Sequence, residues 1–583
     1  MSLGTMKCPH LLTDAYDHVC IQQGVPSVLR IRRALTLTAG DPPRGIPPRL
    51  HFSNMHRDID LRSWHHIVSA VETFCKGSTP QHRNALIGVD VQMNSNDASD
   101  SHSAKMLQAL LPHASSIEML TNRLGALSAA CIGAAIGAQP TEAPHLRRLK
   151  LGKNNLTGAC IAPLLDGLSM NSTLQQLHLA ENNLGDRGAA LLASAIAYNR
   201  TLVSLCLRET NLTSVGVSLL TDAIALNPHT AVTELTLKKN HLGNADCFTR
   251  LLKLCPRLTT LDVSLCGLTS TGVAGLPEAI QQNQTLRFLI LSGNPVQDNA
   301  MAQILDSMCR PSCYISALYI EDCSLTASIA PSITRVLKNL PSLRRFLCSS
   351  NAIGDAGAHA IAEGLWHGSP LTQLGLSRCS MHPMGMSLLL DAASSHVHLR
   401  SFDISQNNMR GRMAVASLCH FLSTNNSVVR MHFSDNEVNN MDLVALAIEK
   451  NTSLRNCIFG GQNPASRNKL TLQCRRVIND VLVTNKKNAT KVSGSHRTTV
   501  HDSFEDSLLC DSDGPSTPSV SKVSSPITYI NGRPTVVSDE GTDPSVSAAP
   551  LMIRAIDFEK DVEKVGKRPH KGLNVTETMI HSQ

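Results

Sequence analysis

Aromatic side chains are nearly missing: 583 residues carry two tryptophans, five tyrosines and 3% aromatics in all. A large core must then be built from aliphatic side chains. Single-stranded nucleic acid, which is held by stacking on rings, is disfavoured as a partner. No run reaches the roughly 18 apolar residues of a membrane helix; the nearest is the small-residue stretch Leu127–Ala138. The opening MSLGTMKCPHLLTDAYDHVC has no basic start before an apolar run and does not read as a secretory signal. The expected location is cytoplasmic or cytoskeletal, without membrane contact. The 18 cysteines are scattered and contain no CxxC pair, so they read as reduced. A net charge of +7 is modest over this length and makes no case for nucleic acid. P-loop, nucleophile elbow and zincin motifs are absent. No enzyme, cofactor or small-molecule ligand is expected.

What the sequence has is a spacing. In Leu174–Tyr198, apolar residues stand at Leu174, Leu177, Leu179 and Leu184 with Asn182 between the last two. That pattern predicts a short strand, a tight turn and a helix. The leucines enter a narrow core, and the asparagine supplies partners to buried backbone groups where the chain turns. Asp186 suits the helix N-cap, and Ala189, Ala190 and Ala193 let the helix lie close to its neighbours. A unit this small cannot bury its own apolar face, so it must stack.

The template recurs from Leu146, Leu174, Leu202, Val232, Leu258, Leu286, Ile315, Leu343, Leu371, Leu399, Val428 and, less perfectly, Leu454, most often 28 residues apart. The turn position holds Asn154, Asn182, Asn240, Asn294, Asn351, Asn407 and Asn436, but Cys266, Cys323 and Cys379. From the fifth repeat to the tenth the two types alternate. Period, alanine-rich helix and alternation resemble the ribonuclease-inhibitor-like class of leucine-rich repeats. The resemblance implies an α/β solenoid, a horseshoe with a parallel sheet on its concave face and α-helices on its convex face.

Four regions are expected. Residues 1–45 form a helical cap over the first open core. Residues 46–145 hold two or three degenerate repeats: Leu86, Val89, Val91 and Asn94 fit one, Ile117 and Leu120 begin another, and Pro42–Pro48 interrupts any earlier unit. Residues 146–484 carry about 12 regular repeats. Residues 485–583, rich in Ser, Thr, Pro, Lys and Asp, form a disordered tail with kinase-type Thr517-Pro518 and Ser525-Pro526 and an apolar island at 551–565.

The residues between the core leucines point out of the sheet, which makes the partner face readable. Arg147, Arg148, Lys150 and Lys153 give a basic flank, with Glu181, Glu209 and Glu234 interspersed further on. Phe288 and Ile290, then Tyr319, then Leu347 occupy neighbouring strands, and Ile290, Tyr319 and Leu347 share one template position. An apolar anchor with a basic flank suits a protein partner, one with acidic segments.

Three further patterns bear on function. Tyr16, Cys20, Gly24, Pro26, Val28, Ile31 and Leu35, with Trp64 beyond, resemble the opening of centriole- and basal-body-associated leucine-rich-repeat proteins. That implies a scaffold on a centrosomal, ciliary or flagellar structure, although the coiled coil common in those proteins is missing. Asn122-Arg123-Leu124 resembles an early-repeat loop of the proteins that activate the small GTPase Ran, which gives a GTPase regulator as the alternative. His359, Glu363 and His367 share one helix face at metal-ligand spacing, but a solvated convex face accounts for them.

Overall fold

A computed structural model describes residues 11–36, 49–53, 61–76, 89–96, 98–138, 146–255, 257–460 and 472–493. The expectations for Pro42–Pro48, Leu86, Thr517, Ser525 and 551–565 lie outside them.

Each repeat contributes one short strand: β1 (Arg49–His51), β2 (Val89–Gln92), β3 (Ala114–Glu118), β4 (Arg148–Lys150), β5 (Gln176–His178), β6 (Ser204–Cys206), β7 (Glu234–Thr236), β8 (Thr260–Asp262), β9 (Phe288–Ile290), β10 (Ala317–Tyr319), β11 (Arg345–Leu347), β12 (Gln373–Gly375), β13 (Ser401–Asp403), β14 (Arg430–His432) and β15 (Asn456–Ile458). They pair in chain order, all parallel, as one sheet. In β5, Leu177 is buried while Gln176 and His178 flank it on the other face. The helix that follows, Gly185–Ile196, closes the core with Ala189, Leu192, Ala193 and Ile196. Packed helices need about 8–10 Å and paired strands about 4.8 Å, so the sheet takes the concave side.

The turn after each strand is strained in the same way. The residue before the ladder position has a left-handed backbone at Lys153, Glu181, Glu209, Lys239, Leu265, Asp322, Ser350, Arg378, Gln406 and Asp435, with glycine only at Gly293. Such a conformation costs a side-chain-bearing residue about 1–2 kcal/mol, and it aims the next side chain inward. The ladder asparagines offset that cost. Oδ1 of Asn294 accepts from the N–H groups of Cys266 (2.9 Å) and Leu268 (3.0 Å), and its Nδ2 donates to the carbonyls of Val263 (2.9 Å) and Leu291 (2.7 Å). The cysteines are weaker members. The thiol of Cys266 donates to the Leu237 carbonyl at 3.2 Å, and burial pushes its pKa up to about 12.

A second left-handed residue distinguishes two turns. It follows the ladder residue immediately at Asn155, Asn211, Gly267, Ser324, Ser380 and Glu437, and comes three residues after it at Gly185, Gly243, Gln297 and Gly354. The two turns alternate from the first regular repeat to the ninth, beginning before the span over which Asn and Cys alternate in sequence. Thr210 is a ladder residue that the Asn/Cys pattern does not show; its hydroxyl donates to the Leu207 carbonyl at 2.7 Å.

A second ladder runs where the helices end. Asn171, Asn199, Asn283, Asn425 and Asn451 are buried. In Asn199, Nδ2 donates to the carbonyls of Leu168 (2.9 Å) and Asn171 (3.1 Å), while Oδ1 accepts from the N–H groups of Thr201 and Leu202. Each links the close of one repeat to the strand of the next.

Four expectations are corrected. Asp186 lies inside the first turn of its helix and caps the next one, accepting from Thr213 N–H (2.9 Å) and Gly216 N–H (3.2 Å). Asn94 is not the ladder residue of its repeat. Val91 pairs with Ile117, which pairs with Leu149, so the third core position falls on Met93 and the ladder on Asn96, whose N–H donates to Asn122 Oδ1. The repeat read from Ile117 and Leu120 begins instead at Ala114, and its ladder residue is Asn122, which donates to the Met93 carbonyl. The tail expected from 485 does not start there. The helix Leu472–Ser493 continues past it, and Asn485 closes the second ladder on the carbonyls of Asn451 and Leu454.

At the start of the chain, helices Leu11–Gln22 and Leu29–Ala34 precede β1. Tyr16 and Cys20 are buried on the first of them, and the Tyr16 hydroxyl accepts from Val28 N–H at 3.4 Å. Trp64 packs edge-on against Phe52 with ring centroids 5.5 Å apart.

Candidate protein-binding face

The last residue of each strand contributes to one row across the sheet. Pairing sets Ile290 beside Asp262 and Tyr319, Tyr319 beside Leu347, and Leu347 beside Gly375, with Asp403 and His432 continuing the line. Ile290, Tyr319 and Leu347 are half-buried, with part of each side chain open on the sheet face. Phe288 stands one row over, beside Ala317, and the Arg345 guanidinium covers it at 5.6 Å from the ring centroid.

Gly375 interrupts the row by having nothing to raise. Leu347 leans across it: a Cβ on Gly375 would stand 2.7 Å from Leu347 Cδ2. Beyond lies a hollow of about 270 Å³ bounded by Leu347 and Ser349 on one side and by Asp403, His432 and Ile458 on the other, with Glu321 at its margin. Glu321 forms no ion pair among the described residues. Burial raises its pKa, only partly countered by the Ser349 hydroxyl, and the nearby charge of Asp403 raises it further. Asp403 is shifted the other way. Burial opposes its charge, but hydrogen bonds from His432 and Ser405 outweigh that and lower its pKa. His432 Nδ1 lies 3.4 Å from Asp403 Oδ2.

The opposite end of the face differs. Arg148 pairs with Asp90 (3.3 Å), Lys150 with Glu118 (3.3 Å) and Lys153 with Glu181 (3.1 Å), and Glu181 also takes Arg208. Of the four cations expected as a free basic flank, three are neutralised by carboxylates of nearby repeats, and Arg147 is the exposed one with no ion pair among the described residues. In their midst His178 is held neutral. Burial, then Lys150 and Arg208, lower its pKa from 6.5 to about 4.

Elsewhere the candidate chemistry is used structurally. Asn122 of the Asn122-Arg123-Leu124 loop is buried in the ladder. Glu363 pairs with Lys338 at 2.6 Å, and among the described residues no set of three His, Cys, Asp or Glu side chains converges as a metal site. No described helix is long and apolar enough to cross a membrane.

The short parallel strands, the full helix in each repeat, the alternating turns and the side-chain ladder define a leucine-rich-repeat protein of the ribonuclease-inhibitor-like class. The Leucine Rich repeat family model matches residues 171–193, 255–276 and 282–304. Ribonuclease inhibitor of Sus scrofa is 32% identical over 199 residues, 33% of this chain and 43% of that protein. The Mus musculus protein is 33% identical over 186 residues, 31% and 41%. NACHT, LRR and PYD domains-containing protein 5 of Homo sapiens is 34% identical over 194 residues, 32% of this chain and 16% of that protein. The chain thus spans less than half the length of these relatives, and none of them favours a GTPase regulator. Among solved structures, an internalin from Listeria monocytogenes aligns with TM-score 0.41 at 13% identity over 68% of this chain and 94% of its own. The Rad7 and Elc1 complex of yeast aligns with TM-score 0.41 at 15% identity over 70% and 88%.

Proposed function

We propose that the chain is a non-catalytic scaffold that holds another protein on its concave sheet, anchored on Ile290, Tyr319 and Leu347 with Phe288 alongside. The observation that carries this reading is the row itself: three large apolar side chains on adjoining strands, left partly open beside a hollow. Contiguous apolar surface of this kind commonly marks an interaction site, and anchors of this type supply most of the binding energy where they are covered. Ribonuclease inhibitor, by its name, acts on a protein, which agrees with the same use of the repeats.

The proposed site of action is a centriole, basal body or flagellar structure. Its support is the resemblance carried by Tyr16, Cys20, Gly24, Pro26, Val28, Ile31 and Leu35. Fluorescent tagging tests it: punctate basal-body signal is expected, and diffuse cytosolic or nuclear-rim signal would remove it. Affinity capture with wild type and a Tyr319→Ala, Leu347→Asp variant tests the face. Loss of a specific set of proteins is expected; an unchanged set would show that the partner binds elsewhere.

A further inference from the structure

The charge balance of the sheet face changes along its length. Around β2 to β7 the carboxylates Asp90, Glu118, Glu181 and Glu209 each have a lysine or arginine one or two repeats away within 3.5 Å. Around the hollow this stops. Glu321 is half-buried with no ion pair among the described residues, and the second carboxylate, Asp403, has only His432. Glu321 lies two residues past β10 and Asp403 ends β13; both line the hollow, and the charge of Asp403 reaches Glu321. Arg430 is exposed at the rim, while the groups that act most strongly on the two carboxylates are Ser349, then Asp403, Lys238 and Ser292 for Glu321, and His432 and Ser405 for Asp403.

Leaving the Glu321 carboxylate half-buried without an ion pair is costly, and the cost falls when a partner supplies the cation. The walls fit such a group. Leu347 and Ile458 offer apolar surface to a methylene stem, and the carboxylates and hydroxyls receive a charged head. An acidic side chain would meet two negative charges instead. We propose that this hollow takes the lysine or arginine side chain of an apolar-flanked segment belonging to the protein held on the sheet. This rests on the reading of the sheet as a protein-binding face, and it replaces the acidic partner expected from Arg147–Lys153 with a basic one.

The test uses the full chain and fluorescein-labelled peptide pools of twelve residues, randomised among Ala, Leu, Phe, Ser and Gly around one central position fixed as Arg, Lys, Leu or Glu. Fluorescence anisotropy should show the Arg and Lys pools binding about tenfold more tightly than the Leu pool, and the Glu pool most weakly. Glu321→Gln with Asp403→Asn should bring the Arg, Lys and Leu pools level, with a cooperative thermal melt showing that the chain is still folded. Equal binding of all four pools to wild type, or an Arg preference that survives in that variant, would overturn the proposal. The sheet reading is tested separately by Tyr319→Ala with Leu347→Ala, which should weaken every pool. If no pool binds, or if that variant binds as well as wild type, the sheet reading fails and this proposal fails with it.

Discussion

The two ends of the sheet face handle charge in opposite ways. Around β2 to β7, Asp90, Glu118, Glu181 and Glu209 are each paired with a lysine or arginine of another repeat. From β9 to β15 the same template position carries Ile290, Tyr319, Leu347 and Gly375, then Asp403, His432 and Ile458, while Glu321, just past β10, has no ion pair among the described residues. A stretch whose charges are already matched gains little from a partner, because a partner must displace or compete with existing pairs. A stretch with open apolar surface and unmatched charge gains much. Electrostatic content therefore misleads as a guide to binding unless the pairing is known, and the more highly charged end is the less available one.

The most severe way to break this contrast is to remove what holds both ends in one frame. Asn294 lies between them, fully buried with four hydrogen bonds. Asn294→Leu strands two donors and two acceptors at about 1–3 kcal/mol each, a loss on the order of 4 kcal/mol or more. A thermal melt should show a large drop or a split transition, and an unchanged melting temperature would remove the ladder's structural role.

Next in size is the anchor. Tyr319→Ala with Leu347→Asp should weaken partner capture by about 2 kcal/mol or more while leaving the fold close to wild-type stability. Leu347 also covers Gly375, so a melt that collapses instead would mean that the row serves packing rather than binding.

A smaller effect sharpens the contrast from the paired end. His178 is neutral in the fold with a pKa near 4, against 6.5 when exposed. As pH falls below about 6.5 the unfolded chain takes up a proton that the folded chain refuses until about pH 4, so stability is lost across that window. His178→Gln should lose less on going from pH 7 to pH 5, by up to about 2 kcal/mol. Urea titrations of both proteins at the two pH values measure this, and parallel losses would contradict the buried neutral state.

Smallest of all should be Arg148→Ala or Lys150→Ala. Partly exposed pairs contribute about 0–1 kcal/mol, and neither change should alter partner capture. A large binding defect from either would reverse the assignment of the two ends.

Much of the fold is legible in the sequence where leucine and asparagine keep their places, from Leu146 onward. It is less legible where they do not. Met93, Ala114 and Met119 fill leucine positions, so a template built on leucine slides onto Val91 and Leu120. Alternation of turns is a backbone property, visible in letters only where cysteine marks it; Thr210 and Asn154 hide the rest. The alignment of Ile290, Tyr319 and Leu347 is readable because strand side chains alternate and parallel register repeats. Their neighbours are not. Whether Lys150 is free depends on Glu118, in another repeat, and the hollow exists because Gly375 lacks the side chain that Leu347 covers.

The second ladder has a consequence for where this chain can fold. Asn171, Asn199, Asn283, Asn425 and Asn451 each begin an Asn-x-Ser/Thr triplet, the acceptor signal for N-linked sugar. In the fold those amide nitrogens are buried donors to backbone carbonyls of the preceding repeat. A glycan needs the same atom, in solvent, with room for a bulky polar group. Sugar attachment and folding thus compete for one nitrogen in five places, and a chain glycosylated at any of them could not close the repeat above it.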